Sequence, residues 1–215
     1  MRESVNSRLL LHLVTDRSLS RGRSLVEVVR EAVSGGVTCV QLREKDCSTR
    51  EFLQEALALK ELLQSLMVPL IINDRVDIAL AVGADGVHLG QSDMPISHAR
   101  RLLGPNCLIG ISAESVDHAV EAEQQGADYI GISPVFSTPT KADTAPALGL
   151  EGIRQIRELV RIPLVGIGGI NQTNARQVLA SGADGVAVVS AIMAAASPRL
   201  AAEVIKGELG ERGGS

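Results

Sequence analysis

The chain has 215 residues, no Trp, one Tyr and two Phe, and a formal net charge of −4, while 45% of it is hydrophobic. A stacking platform for single-stranded nucleic acid or an aromatic cage for a quaternary ammonium needs rings that this composition lacks. The acidic balance argues against non-specific DNA binding. A polar start, Met1 to Arg8, lacks the apolar stretch of a signal peptide. The alternation of elements then begins, with strands predicted over Leu9–Thr15, Val37–Arg43, Pro69–Asn73 and Gly86–Leu89. The helices Ser24–Ser34, Thr49–Leu66, Arg75–Val82 and Pro95–Leu103 follow them in turn. The second half continues with strands Cys107–Ser112, Tyr129–Ser133, Pro163–Gly168 and Gly185–Val189. Their helices are Val116–Gln125, Leu150–Val160, Thr173–Ala180 and Pro198–Lys206. The longest fully apolar run, Leu66–Ile72, is far too short to span a membrane.

One phrase punctuates the alternation. Gly83-Ala84-Asp85 returns as Gly126-Ala127-Asp128 and Gly182-Ala183-Asp184, with a looser copy at Gly35-Gly36-Val37. Each copy follows a helical stretch and precedes a β-branched run, so Gly stops a helix and Asp turns the chain into the next buried strand. Repeated this often, the unit is an α/β architecture with a parallel sheet. Eight alternations predict a (β/α)8 TIM barrel, a single domain over residues 1–215 with its core about 9–206 and a frayed tail at 207–215. The competitor, an open doubly wound sheet, favours a Gly-rich loop after strand one. Here that loop reads Asp16-Arg17-Ser18-Leu19-Ser20.

In a barrel, chemistry gathers where the strands end. Strand two ends Gln41-Leu42-Arg43-Glu44-Lys45. Alternation puts Gln41, Arg43 and Lys45 on one face and Leu42 and Glu44 on the other, so an amide and two cations line up for an anion. The competing reading is a solvated strand end salted by Glu44. Asp74 and Asp93 follow the adjacent strands three and four. Two carboxylates with water make a hard oxygen site of the kind that holds Mg2+ against a phosphate; taken singly, each could be a helix-start residue. Ser112, ending strand five, could donate to a phosphate or cap the next helix. After strand six the long stretch Ser133–Gly149 carries Thr138, Thr140 and Lys141, and reads as a substrate-closing lid or as a linker. Strand seven exits through Gly168-Gly169 and strand eight through Val189-Ser190, the position of a backbone phosphate cup in many barrels. One half of the site thus suits a diphosphate with Mg2+ and the other a monophosphate, which implies two phosphorylated substrates.

His12 and His88 fall within strands and read as packed or hydrogen-bonded rings, His98 and His118 as solvated helix residues. Cys39 and Cys107 read as core, and Cys47 as exposed without a partner pattern. Three cysteines without paired spacing indicate reduced thiols and a cytoplasmic location. No Ser/His/Asp or Cys/His arrangement is legible, which disfavours covalent acyl chemistry.

The motifs Leu13–Arg17, Gln41–Lys45, Asn73-Asp74, His88–Asp93, Pro134–Lys141, Gly166–Ile170 and Val189–Ile192, in this order, resemble the thiamine-phosphate synthases over Leu9 to Lys206. The resemblance implies condensation of hydroxymethylpyrimidine diphosphate with hydroxyethylthiazole phosphate to thiamine monophosphate and pyrophosphate, by loss of diphosphate and capture of the pyrimidinyl-methyl cation. It implies that Gln41, Arg43, Lys45, Asn73, Ser112 and Lys141 hold the pyrimidine diphosphate, with Arg43, Lys45, Ser112 and Lys141 acting in catalysis. Asp74 and Asp93 would bind Mg2+, and Thr138, Thr140, Gly169, Val189 and Ser190 the thiazole phosphate. His12 stands where the family often has Tyr. The alternatives are a metal-independent thiazole tautomerase-like isomerase, which has no use for the full diphosphate set, and a non-catalytic phosphate-binding barrel. The expected partners are small phosphorylated molecules, with no nucleic acid or membrane, and a homo-oligomer is compatible with the reading. With only Phe52, Tyr129 and Phe136 available, recognition of the two substrate rings is expected to rest on aliphatic walls.

Overall fold

Helix starts and strand parity build the fold. A computed structural model describes residues 8–137 and 146–210. Eight parallel strands close into one barrel in sequence order: β1 (Leu11–Val14), β2 (Cys39–Leu42), β3 (Leu70–Asn73), β4 (Gly86–Leu89), β5 (Leu108–Ala113), β6 (Tyr129–Ile132), β7 (Leu164–Ile167) and β8 (Gly185–Val188). The ring shuts where His12 of β1 registers with Ala187 of β8. Helices α1 (Leu25–Ser34), α2 (Thr49–Leu66), α3 (Val76–Val82), α4 (Ile96–Leu103), α5 (Val116–Gln124), α6 (Gly149–Leu159) and α7 (Ala175–Ala180) follow the strands. After β8 come a one-turn α8 (Ser190–Met193) and the last helix, α9 (Pro198–Leu209). The predicted barrel is therefore observed. Among the described residues no helix is long and apolar enough to cross a membrane.

Local chemistry fixes several ends. Ser24 and Ser48 each accept from the backbone N–H three residues on, while Glu27 and Glu51 reach back to their backbone N–H groups. These reciprocal caps satisfy donors that every helix start leaves open. Strands β1, β2, β3, β6, β7 and β8 are shorter than predicted, whereas β4 has the predicted bounds and β5 keeps the predicted length shifted by one residue. Thr38, before β2, accepts from Leu11 N at 2.9 Å. The last helix runs through Leu209, past the predicted end at Lys206, because Leu209 is buried. A 3-10 turn at Arg17–Leu19, capped by Asp16, has no sequence counterpart above.

Strand parity divides the core. Leu11, Leu13, Val40, Leu42, Leu70, Ile72, Ile130 and Ile132 point outward beneath the helices. Val14, Cys39, Ile71, Tyr129, Val165 and Ala187 fill the barrel interior. Towards the C-terminal strand ends the inward positions turn polar, with His12, Gln41, Asn73 and His88 all buried. Two inward glycines make room for this floor. A Cβ on Gly110 would lie 2.1 Å from the Tyr129 ring, and one on Gly131 would lie 2.8 Å from the His88 ring. At the opposite end Cys107 sits one residue before β5 and is only half-buried, so it is not the core residue expected. Cys47 is half-buried and packs against the core, so it is less exposed than expected.

Candidate active site

The polar floor opens into a cavity of about 460 Å³ at the C-terminal ends of the strands. Gln41, Arg43 and Lys45 all line it. Leu42 lies in the outer core, and Glu44 turns away to Arg17 at 3.0 Å, in an ion pair that also includes Glu55. The face predicted by alternation is thus the face observed. Arg43 is held at its backbone, where its N–H donates to Thr15 Oγ1 at 3.0 Å. Its guanidinium lies 3.9 Å from Asp16.

Asn73 and Asp74 leave β3, and Asp93 closes the turn after β4. Both aspartates line the cavity. Neither caps a helix: the residues before α3 and α4 are Arg75 and Pro95, and neither makes a side-chain cap. Asp74 adopts φ 63° and its backbone N–H donates to His88 O at 2.8 Å. Its carboxylate pairs with the Lys45 ammonium. Asp93 Oδ2 accepts from Gly90 N at 2.6 Å. Burial raises the Asp93 pKa; the Gly90 bond opposes this, and a hydrogen bond and repulsion from Asp74 add to it. Two carboxylates therefore face each other with one lysine between them, a charge deficit that a divalent cation would fill. Among the described residues no third acidic, His or Cys side chain joins them. A cation there would take its other ligands from water and substrate oxygens, as Mg2+ does. The donor set fits the expected ion.

Ser112 also lines the cavity. It does not cap α5, because Ser115 does so by accepting from His118 N at 3.1 Å. His88 joins the site from β4: its Nε2 lies 3.0 Å from Ser112 Oγ and its Nδ1 lies 3.0 Å from the Tyr129 hydroxyl. Burial pushes the His88 pKa down to about 4 and that of His12 down to about 3. Both rings are neutral near pH 7. Gln91 Nε2 donates to Ser112 O at 2.7 Å and ties the β4 turn to β5.

Across the cavity lie Gly168, Gly169, Val188, Val189 and Ser190. The two glycines take φ 101° and 65°. Their side-chain positions are filled by the segment after β6: a Cβ on Gly168 would meet Pro134 at 2.7 Å, and one on Gly169 would meet Phe136 at 2.9 Å. So packing requires these glycines, whatever approaches their other side. Asn174 Nδ2 draws the Gly169 carbonyl towards α7 at 2.9 Å. Arg23 closes the far end of α8, donating to Met193 O at 2.9 Å and Ala195 O at 3.0 Å. That anchors the turn carrying Ser190.

The stretch read as a lid is partly fixed. Val135 N donates to Ile167 O at 2.8 Å and Phe136 N to Gly168 O at 3.1 Å. Phe136 packs against the outer core and is not among the cavity-lining residues. Thr138, Thr140 and Lys141 lie outside the described residues. Aliphatic walls are present in Val14, Val165, Ile167, Ile170, Ala187, Val188 and Val189, as composition suggested. The floor is less aliphatic than expected, because His12, His88 and Tyr129 meet there. Sequence reasoning set both histidines aside. The one local signal was that His88 and Ser112 have the same inward parity as Gln41. His98 is exposed as expected, whereas His118 is half-buried, and its buried Nδ1 has no hydrogen-bond partner among the described residues.

This geometry meets an independent finding. The thiamine monophosphate synthase family model matches residues 11–192. The chain belongs to this family. A thiamine-phosphate synthase from Albidiferax ferrireducens is 58% identical over 194 residues, covering 90% of this chain and 89% of the relative. One from Syntrophomonas wolfei is 58% identical over 191 residues, covering 89% and 91%. Among solved structures, a thiamine phosphate pyrophosphorylase from Pyrococcus furiosus superposes with a TM-score of 0.88 at 46% identity, over 95% of this chain and 97% of that one. A 3-hexulose-6-phosphate synthase, at 16% identity and a TM-score of 0.67 over 93% and 99%, shares the fold alone.

Proposed function

We propose that the chain is a thiamine-phosphate synthase, a transferase that joins hydroxymethylpyrimidine diphosphate to hydroxyethylthiazole phosphate and releases pyrophosphate. The observation that carries this reading is the convergence of the Gln41/Arg43/Lys45 face and the Asp74/Asp93 pair on one cavity, opposite Gly169 and Ser190. The family membership gives that convergence its substrates.

In this reading Arg43 and Lys45 attract the diphosphate and stabilise the charge that grows on it as the carbon–oxygen bond breaks. Ser112 donates to a diphosphate oxygen. Gln41 and Asn73, buried at the floor, hydrogen-bond the pyrimidine diphosphate. Asp74 and Asp93 would hold Mg2+, which when bound supplies Lewis-acid neutralisation of the leaving diphosphate. Val189, Ser190 and Gly169 take the thiazole phosphate. Thr138, Thr140 and Lys141, from outside the described residues, complete the set by resemblance. The thiazole nitrogen has no proton to lose, so the capture step needs no general base. The neutral histidines of the floor agree with that requirement. The aliphatic walls keep water from a cationic intermediate.

The test mixes both substrates with the protein and Mg2+ and measures pyrophosphate and thiamine monophosphate. Formation of both in equal amounts is expected. No product, with the thiazole partner isomerised instead, would favour the tautomerase-like alternative.

A further inference from the structure

Three side chains from three strands stand in a row beneath the diphosphate side of the cavity. The Tyr129 hydroxyl lies 3.0 Å from His88 Nδ1, and His88 Nε2 lies 3.0 Å from Ser112 Oγ. Gly110 and Gly131 make room for the two rings where they stand, since a Cβ on Gly110 would collide with Tyr129 and one on Gly131 with His88. A neutral imidazole donates from one nitrogen and accepts at the other, so the row has only two proton arrangements. In one, the Tyr129 hydroxyl donates to Nδ1, and the Nε2–H donates to Ser112. In the other, Nδ1–H donates to Tyr129, and Ser112 donates to Nε2.

The surroundings of Tyr129 decide between them. Its ring is 1% exposed, and among the described residues its hydroxyl has no hydrogen-bond partner but His88. The nearby His12 ring stands edge-on at 5.7 Å, and its Nε2 makes no hydrogen bond among the described residues. The second arrangement therefore leaves a buried phenolic proton with no acceptor among the described residues, which native structures avoid. The first satisfies the Tyr129 hydroxyl proton and both His88 nitrogens. It also occupies a lone pair of Ser112 Oγ, whose own proton must then find an acceptor elsewhere. Among the described residues Ser112 Oγ has no other hydrogen bond, and its side chain lines the cavity.

We propose that Tyr129 and His88 are positioning residues: Tyr129 fixes the tautomer of His88, and His88 turns the Ser112 hydroxyl so that it donates into the cavity. Ser112 then offers a proton to a substrate diphosphate oxygen; the reversed row would offer it only lone pairs. This rests on the synthase reading for the identity of the anion, but not for the direction of the row.

Long-range 1H–15N correlation spectra of the full chain at pH 7.5 test the direction without any substrate, with the His88 signals assigned by their loss in His88→Asn. Expected is a proton on Nε2 and a bare Nδ1. A proton on Nδ1 alone, or on both nitrogens, overturns the proposal. Tyr129→Phe should let His88 populate both tautomers and raise KM for the pyrimidine diphosphate about tenfold, with KM for the thiazole phosphate unchanged. In a Ser112→Ala background the same change should add nothing, and additive losses would sink the relay. If wild-type protein makes no thiamine monophosphate, calorimetry with inorganic pyrophosphate and Mg2+ replaces the kinetics. Equal weakening in Ser112→Ala, Tyr129→Phe and their double variant is then expected. Should Tyr129→Phe fail to fold, the wild-type spectrum alone decides.

Discussion

Aspartates work at both ends of this barrel, in opposite ways. At the N-terminal end Asp85, Asp128 and Asp184 come from the three Gly-Ala-Asp copies. Each carboxylate accepts from a strand amide: Leu70 N at 2.9 Å, Ile109 N at 2.7 Å and Leu164 N at 2.9 Å. Each also pairs with a helix cation, respectively Lys60, Arg100 and Arg157. Thr38 does the neutral equivalent for Leu11. Every odd strand is thus tied at its start by the residue preceding the next even strand. At the C-terminal end Asp74 and Asp93 share one lysine and oppose each other. Matched carboxylates hold the barrel together, whereas mismatched ones leave a demand for a cation.

Breaking one member of each set should separate activity from stability. The largest effect is expected from Asp93→Ala. In the proposed function Asp93 holds the metal, and its loss would remove several kcal/mol of charge stabilisation, so kcat/KM should fall by at least about 10³-fold. Stability to urea should change by less than about 1 kcal/mol, because removing the side chain relieves its repulsion with Asp74 while it loses the Gly90 bond. A variant that keeps its activity, or wild-type activity that survives EDTA, would remove the metal assignment. Asp128→Ala should do the reverse. It leaves the Ile109 amide unpaired and Arg100 without its partner, for a loss of about 2 kcal/mol measured by urea denaturation. The ion pair is partly exposed, which keeps the loss below that of a fully buried pair. kcat/KM well below the melting temperature should stay within about twofold of wild type. A large loss of activity there would mean that the two ends are mechanically coupled.

The same comparison explains what the sequence discloses. The Gly-Ala-Asp repeat is local: helix stop, turn and amide clamp lie within three residues, so the alternation and the closed barrel could be read directly. Parity is local too, and it placed Gln41, Arg43 and Lys45 on the cavity face. The Asp74/Asp93 pair needed only the adjacency of β3 and β4. Gln41, Asn73 and Ser112 of the floor were legible at strand ends, but its ring cluster was not, because His12, His88 and Tyr129 come from three strands and fit against glycines whose role shows only in three dimensions. The helix Ser190–Met193 is one turn long, too short to show a helical period, and its β-branched neighbours read as more strand. Ser112 and Ser115 compete for one capping role three residues apart, and only the observed strand length decides between them.

The smallest effect concerns the floor itself, which resembles the N-terminal end in burial and the C-terminal end in chemistry. His12 is 1% exposed, and burial, with some repulsion from His88, lowers its pKa from 6.5 to about 3. The folded chain therefore leaves this ring neutral at pH values where the unfolded chain protonates it. Its contribution to stability is fully present above pH 6.5 and is lost as pH falls towards 3. Near pH 5 the loss approaches about 1.4 kcal/mol per pH unit for one proton. His88, lowered to about 4, adds a second proton over the same interval. His12→Gln cannot titrate, so the slope of unfolding free energy between pH 6 and pH 5 should drop by about half of what the two rings supply together. Urea titrations at a series of pH values measure it. An unchanged slope would mean that solvent in the cavity already reaches and protonates His12, and that the floor behaves like the open end of the barrel rather than its sealed one.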